Sequence, residues 1–93
     1  MSKDAYLLYL RARQKAVDER IREASLRLRE GDLRDRVHAA GELATLERRR
    51  ALVESKLVTA RAADPSRYTG LRSEIAEDLD AIGVMLDRLT TGF

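Results

Sequence analysis

The sequence predicts an all-α protein that folds as an antiparallel up-down-up three-helix bundle with coiled-coil-like heptad packing. Three observations lead to this prediction. Apolar residues recur at alternating steps of three and four along three long segments. Gly31 and Pro65 separate these segments. When the chain is folded at those two points, the apolar residues that meet have nearly constant number sums, 63 or 64 for the first two segments and 128 or 129 for the last two.

Each segment carries one apolar stripe, which is the face that a bundle helix must bury. The first stripe comprises Leu7, Leu10, Gln14, Val17, Ile21, Ala24 and Leu28. The second comprises Ala39, Leu43, Leu46, Arg50, Val53, Leu57 and Ala60. The third comprises Leu71 or Arg72, then Ile75, Leu79, Ile82, Leu86, Leu89 and Phe93.

The first helix is predicted over about residues 3–30. Ser2 is a suitable N-cap, and Asp4 places a negative charge in the first turn, where the helix dipole favours it. Gly31 provides a C-terminal stop.

The second helix is predicted over about residues 33–62, restarted by Asp32 and Asp35 in a capping-box-like spacing. Gly41 lies inside it and costs about 1 kcal/mol relative to Ala. An alternative places the turn at Gly41, but moving the fold point by ten residues destroys every pairing.

The third helix is predicted over about residues 66–90, because Asp64 and Pro65 form an N-cap followed by a proline at the first helical position. Thr69 and Gly70 leave open a start near Leu71. The alternative fold is a two-helix hairpin whose third segment packs on a second copy of the chain.

Length and composition favour one domain over residues 1–93, with 44% hydrophobic and 37% charged residues and no Cys. The longest apolar run, Ala5 to Leu10, is too short for a membrane span or a signal-peptide core, so we expect a cytoplasmic protein. Residues 1–63 carry a net charge of +5 and residues 64–93 a net charge of −3. We expect the basic hairpin and the acidic third helix to neutralise each other.

Gln14, Arg50 and Asp78 are predicted to form a polar layer in the middle of the bundle. A guanidinium that faces a core needs a partner, and Asp78 or Glu47 could supply it. One interpretation is a ligand or carboxylate site, and the other is a layer that fixes the register while the Arg50 head reaches solvent.

No catalytic or metal site is predicted. Asp35 and His38 have the spacing of half a carboxylate–histidine metal motif, but the other ligands of that motif are missing. A second acidic cluster is interpreted as a solvated or Arg-pairing face of the third helix: Glu74, Glu77 and Asp78. The stretch from Arg11 to Leu28 resembles the first helix of helical chorismate mutases, which would imply an enzyme. However, no Lys lies between Lys15 and Lys56, and the Asp-plus-Arg-Glu motif of that family's second helix is absent. We predict no enzyme, no cofactor and no metal.

Two sets of surface residues suggest a partner. Apolar residues repeat every seven positions beside the second stripe, and the first helix begins with further apolar side chains: Val37, Ala44, Ala51, Val58, Tyr6, Leu8 and Tyr9. This ridge is either a wide core-facing stripe or a surface for a protein partner or a second copy, as in a homodimer. The function predicted is therefore a non-catalytic interaction module, adaptor or chaperone-like bundle, with no membrane partner.

The alternative function is nucleic-acid association. Basic residues recur every seven positions on the first helix, and a basic run lies in the second: Arg13, Arg20 and Arg27, then Lys15, Arg22 and Arg29, then Arg48, Arg49 and Arg50. Asp18–Arg22 and Glu23–Arg27 are expected to pair along the helix and to neutralise part of this stripe.

Overall fold

The computed structural model describes residues 2–31 and 33–91, with only the backbone of residues 33–35 described. Within these ranges the chain forms three helices and no strand: α1 (Lys3–Glu30), α2 (Leu33–Ala62) and α3 (Pro65–Thr91). All three pairs of helices are in contact, and the described residues extend over 49 × 18 × 16 Å. The three-helix bundle is confirmed, and the hairpin that needs a second copy to cover its third segment is wrong.

The ends of α1 and α2 follow the local chemistry expected from the sequence. The Ser2 side chain accepts a hydrogen bond from the backbone N–H of Ala5 at 3.2 Å, which satisfies one of the unpaired donors of the first turn. Gly31 ends α1 in an extended conformation, and its N–H donates to the carbonyl of Leu28 at 3.3 Å. Since α2 runs unbroken through Gly41, the alternative turn at that residue is wrong. Asp32 and the side chain of Asp35, the predicted restart, lie outside the described residues.

The start of α3 is decided by Asp64. Its Oδ1 accepts from the backbone N–H of Arg67 at 3.0 Å and from the hydroxyl of Ser66 at 2.8 Å. The backbone hydrogen bond, supported by that of Ser66, lowers the pKa of the Asp64 carboxyl. The helix therefore begins at Pro65, one residue before the predicted start, and the alternative start near Leu71 is wrong.

The predicted stripes form one buried core. Its members at the predicted positions are Leu7, Leu10, Gln14, Val17, Ile21, Ala24, Ala39, Leu43, Leu46, Val53, Leu57, Ala60, Ile75, Leu79, Ile82 and Leu86. At the ends of the stripes Leu28, Leu71 and Leu89 are half-buried, and Phe93 lies outside the described residues. Arg50 is half-buried, which makes it the polar exception in the middle of the α2 stripe.

Ion pairs connect the basic hairpin to the acidic third helix, as the charge distribution predicts. Arg13 and Arg20 on α1 bind Asp80 and Asp87 on α3 at 2.6 and 2.7 Å. On the other side of α3, Lys56 of α2 lies 2.6 Å from Asp78. Part of the charge asymmetry between the two halves of the chain is therefore neutralised inside the bundle.

Candidate interaction surface

Twelve residues of α2 face away from the other two helices. They occupy the three heptad positions most distant from the core, and all are exposed except the half-buried Thr45 and Thr59. We call them the α2 strip: Val37, His38, Gly41, Ala44, Thr45, Arg48, Ala51, Leu52, Ser55, Val58, Thr59 and Ala62.

The α2 strip is almost uncharged, unlike the same positions of the other helices. Arg48 is the only Asp, Glu, Lys or Arg among these twelve residues, and Arg34, two heptads before Arg48, has its side chain outside the described residues. The equivalent outer positions of α1 hold six such residues, Lys15, Glu19, Arg22, Glu23, Arg29 and Glu30. Those of α3 also hold six, Arg67, Glu74, Glu77, Asp80, Asp87 and Arg88. Since solvent-facing helix positions are ordinarily rich in charge, this difference singles out α2.

The apolar ridge lies within this strip and is not part of the intrachain core. Val37 is 68% exposed and Val58 59% exposed, and Ala44 and Ala51 between them are exposed as well. Leu52 adds a further large apolar side chain at 59% exposure. Ala40 beside the ridge is exposed, whereas the side chain of Leu33 lies outside the described residues. The interpretation of the ridge as a wide core-facing stripe is therefore wrong.

Polar groups of the strip bond to their own helix. The Thr45 hydroxyl donates to the carbonyl of Gly41 at 3.2 Å, and the Thr59 hydroxyl donates to that of Ser55 at 3.1 Å. Arg48 lies along the helix, where its Nη2 donates to Thr45 Oγ1 at 3.1 Å. These groups already have partners, so a helix that covers the strip would not leave them all unpaired.

The apolar residues at the start of α1 do not form a single patch. Leu8, 71% exposed, lines an open groove of about 310 Å³ with Asp4, Leu7, Arg11, Leu57 and Arg61, on the side of α2. Tyr6 and Tyr9, whose ring centroids lie 5.7 Å apart, are on the other side, where the Arg72 guanidinium of α3 stands 5.4 Å from the Tyr6 ring. Leu8 is thus at the end of the bundle where the α2 strip finishes, and Tyr6 is partly used by the core.

The predicted polar layer is divided into three separate interactions. Arg50 does not pair with Asp78 or Glu47 but with Asp18, to which its Nε and Nη2 donate at 2.7 and 3.0 Å. These hydrogen bonds raise the pKa of the Arg50 guanidinium, against the opposing effect of its partial burial. Asp78 instead binds Lys56 and so belongs to the α2–α3 seam. Arg50 does not reach Asp78 because the two side chains lie on different sides of α2. The half-buried Arg50 guanidinium lies between α1 and α2, whereas Asp78 lies between α2 and α3.

Gln14 is the buried member of the layer, at 4% exposure, and Glu54 is its partner. Its Nε2 donates to Glu54 Oε2 at 2.8 Å, and Arg11 Nη1 donates to the same carboxylate at 2.5 Å. The hydrogen bond from Gln14, followed by that from Arg11, lowers the pKa of Glu54. The Gln14 amide thus has a partner on each side, since its Oε1 also accepts from Arg11 Nη1 at 3.3 Å. Its role in fixing the register stays a prediction.

The ion pairs across the α1–α2 seam were not predicted from the sequence. Arg11 and Glu54 pair across the seam, and Asp18 pairs with Arg50 one heptad further along. The signal was present, because Arg11 and Asp18 both lie beside the first apolar stripe at a spacing of seven. It was hidden for Asp18 because Arg22, four residues later, is a plausible partner on the same helix.

The basic stripe of α1 is only partly neutralised. Lys15, Arg22 and Arg29 are exposed. The expected Asp18–Arg22 pair is absent because Asp18 binds Arg50. Arg13 and Arg20, from the neighbouring line of basic residues, are held by α3. The Glu23–Arg27 pair is likewise not formed within the described residues.

Metal chemistry finds no support in the described part of the chain. No group of three or more His, Cys, Asp or Glu side chains there has an arrangement that could hold a metal ion. His38 is exposed, and the side chain of its predicted companion Asp35 lies outside the described residues. In the acidic face of α3, Asp78 and Glu74 both lie near Lys56, at 2.6 and 4.0 Å, so their partner is a lysine rather than the predicted arginine.

Tyr68 is a core residue that the predicted stripe does not include. It is 8% exposed, one heptad before Ile75, and it became part of the core because α3 starts earlier than Leu71. Lys3 Nζ lies 5.2 Å from its ring centroid and donates to the carbonyl of Ala63 at 2.7 Å. The Tyr68 hydroxyl is buried and has no hydrogen-bond partner among the described residues.

Comparison of the chain with known protein families, curated proteins and solved structures gave no match. None of the helices, over the described residues, combines the length and the apolar character needed to cross a membrane.

Proposed function

We propose that the protein is a non-catalytic interaction module that offers the α2 strip to an apolar helical surface of a partner. The observation that carries the proposal is the contrast in charge, one residue in the α2 strip against six at the equivalent positions of α1 and of α3. The three helices belong to the same bundle, so a general property of the protein would affect all of them. A helix that lacks charge on its outer face is ordinarily covered there.

Side-chain size supports a helix as the covering element. Ala44 and Ala51 leave room for a second helix to approach, since the distance between packed helices depends on the side chains at the contact. Val37, Leu52 and Val58 supply exposed apolar area around them. The groove beside Leu8 and Leu57 lies at the end of the strip where Val58 is, and we include it in the proposed surface. A cytoplasmic location remains a prediction from the sequence.

The decisive experiment introduces charge into the strip without touching the core. Ala44→Glu combined with Ala51→Lys should keep the circular dichroism spectrum and the thermal midpoint of the wild type, because both positions are exposed. The same variant should lose self-association in sedimentation and capture of partner proteins. A matched control places the same charges on α1, as Ala5→Glu with Ala12→Lys, also exposed and seven residues apart.

The control variant should behave as the wild type in every assay. If both double variants associate as well as the wild type, the α2 strip is not the working surface. If the α2 variant unfolds, the strip contributes to the intrachain core, and the proposal fails.

Nucleic-acid binding is the second candidate, supported by the exposed line of Lys15, Arg22 and Arg29. Its support is that Arg22 lacks its expected neutralising partner, since Asp18 binds Arg50. A labelled duplex of random sequence should then bind with an affinity that falls steeply with salt, and Arg22→Ala should reduce the salt slope by about one. The absence of binding at low salt would eliminate this candidate.

A further inference from the structure

We propose, on the premise that the α2 strip is the working surface, that its partner is a second copy of the chain. The two α2 helices would pack antiparallel about a twofold axis beside Thr45. In that arrangement Glu42 of each copy faces Arg49 of the other. The pair would therefore be closed and symmetric, with the same surface used by both copies.

The outer face of α2 suits contact with its own copy near this axis. Gly41 and Ala44 are the small residues next to Thr45, and a Cβ at Gly41 would meet nothing within 4 Å, so the space outside the helix is open. Two helices with small residues at the crossing can approach closely. Val37 and Leu52, which lie on either side of Thr45 along the helix, then supply the apolar contacts on both sides of the crossing. A second copy also brings an equally uncharged strip, so little charge is buried.

Arg48 excludes several other arrangements. A parallel, in-register pair would place Arg48 against Arg48 of the second copy, because equivalent residues are then at the same level. An antiparallel pair whose axis lies beside Arg48 has the same defect. Two like charges in a contact that is being desolvated are unfavourable.

Charges on the borders of the strip distinguish two antiparallel arrangements whose axes lie one heptad apart, beside Thr45 and beside Leu52. In an antiparallel helix pair, residues on the same border of each helix face one another. With the axis beside Thr45, Glu42 faces Arg49 of the second copy on the α3 side, and this attraction occurs twice. With the axis one heptad later, beside Leu52, Arg49 faces Lys56 and Glu47 faces Glu54, which are like-charge contacts.

The two residues that make the cross-contact are available for it. Glu42 and Arg49 are exposed, and neither forms an ion pair within the described part of the chain. Lys56 and Glu54, by contrast, are occupied by Asp78 and by Arg11 with Gln14. Charge complementarity thus favours the axis beside Thr45 over the axis beside Leu52, and it pairs between copies two residues that form no ion pair in the described part of the chain.

The test is a charge exchange measured by sedimentation equilibrium of the purified chain. Glu42→Arg and Arg49→Glu, made separately, should each raise the dimer Kd about tenfold, because two attractions become two repulsions. The variant with both substitutions should return to within about threefold of the wild type. If the double variant dimerises no better than the single ones, this register is wrong.

Disulfide trapping checks the register independently, since the chain has no Cys of its own. Thr45→Cys should form an intermolecular disulfide under mild oxidation, whereas Leu52→Cys, one heptad away at the equivalent position, should not. Preferential trapping of Leu52→Cys would overturn the inference. A wild type that stays monomeric at about 1 mM would also overturn it. In that case the proposed function would still hold if the wild type captures another helical protein and the variant Ala44→Glu with Ala51→Lys does not.

Discussion

Arg13 on α1 and Asp80 on α3 form an ion pair with 2.6 Å between Nη2 and Oδ1. Arg20 and Asp87 repeat this pair one heptad later at 2.7 Å, with the same sequence separation of 67 residues. A constant difference in residue number, rather than a constant sum, is the property of two parallel helices. These pairs therefore lie along the one parallel seam of the up-down-up bundle, and they align α1 with α3.

Reversal of one pair should reveal this alignment. Arg13→Asp should lower the free energy of unfolding by about 1 kcal/mol or less, since the Asp80 side chain is 72% exposed and water screens the interaction. Addition of Asp80→Arg should recover most of the loss, with a coupling energy of about 0.2–1 kcal/mol in urea denaturation. Arg13→Asp combined with Asp87→Arg is the control, because those residues are not at the same level. Equal recovery in the control would contradict the alignment.

Removal of the Tyr68 hydroxyl should leave stability unchanged or increase it. The hydroxyl is buried, and no described residue forms a hydrogen bond with it, so Tyr68→Phe removes an unsatisfied polar group while keeping the ring. Tyr68→Ala should cost about 3 kcal/mol or more, because it leaves a cavity in the core. Thermal and chemical denaturation of both variants would measure this. A loss above about 1 kcal/mol for Tyr68→Phe would show that the hydroxyl has a partner in solution.

The carboxylate of Glu54 should make stability depend on acid pH. Its folded pKa lies below the ordinary value of 4.5, chiefly because Gln14 donates to it. Its stabilising contribution is therefore complete above pH 4.5 and is lost as the pH falls through the folded pKa. Glu54→Gln should lower stability at neutral pH by about 1 kcal/mol or less, given a side chain that is 38% exposed, and should flatten the loss below pH 4.5. The control is Glu19→Gln, which removes an exposed carboxylate that forms no ion pair in the described part of the chain. Its stability should depend on acid pH as that of the wild type does. The prediction is wrong if Glu54→Gln also keeps the wild-type dependence of stability on pH.

A charge in the core should unfold the protein, whereas the same charge on the α2 strip should not. Leu46 is fully buried among the core residues of all three helices, so Leu46→Asp places an unpaired carboxylate there at a cost of several kcal/mol. Ala51→Asp adds the same group to the same helix at an exposed position. Circular dichroism should show helix loss in the first variant alone. Comparable unfolding of both would mean that the orientation of α2 is incorrect.

The path of the chain can be predicted from features that are local in the sequence. The step of three and four along Leu7, Leu10 and Val17 is a property of one helix, and the pairing of stripes follows from where turns interrupt them. Asp64 and Pro65 decide a helix start through contacts within a few residues. Such local features can be recognised without knowledge of the tertiary structure. For this reason the three helices begin and end within one residue of the predicted bounds.

Which polar groups meet, and which apolar residues stay outside the core, depends instead on how the helices pack. Arg50 had two plausible partners in sequence, yet it binds Asp18, because a long side chain at the border of a core turns toward whichever seam it can reach. The seven-residue spacing of Val37 and Val58 fits both a wide core stripe and an exposed ridge. Neighbouring heptad positions have the same sequence period and differ only in the direction in which their side chains leave the helix. That angle relative to α1 and α3 is a tertiary property, and it leaves the ridge on the surface.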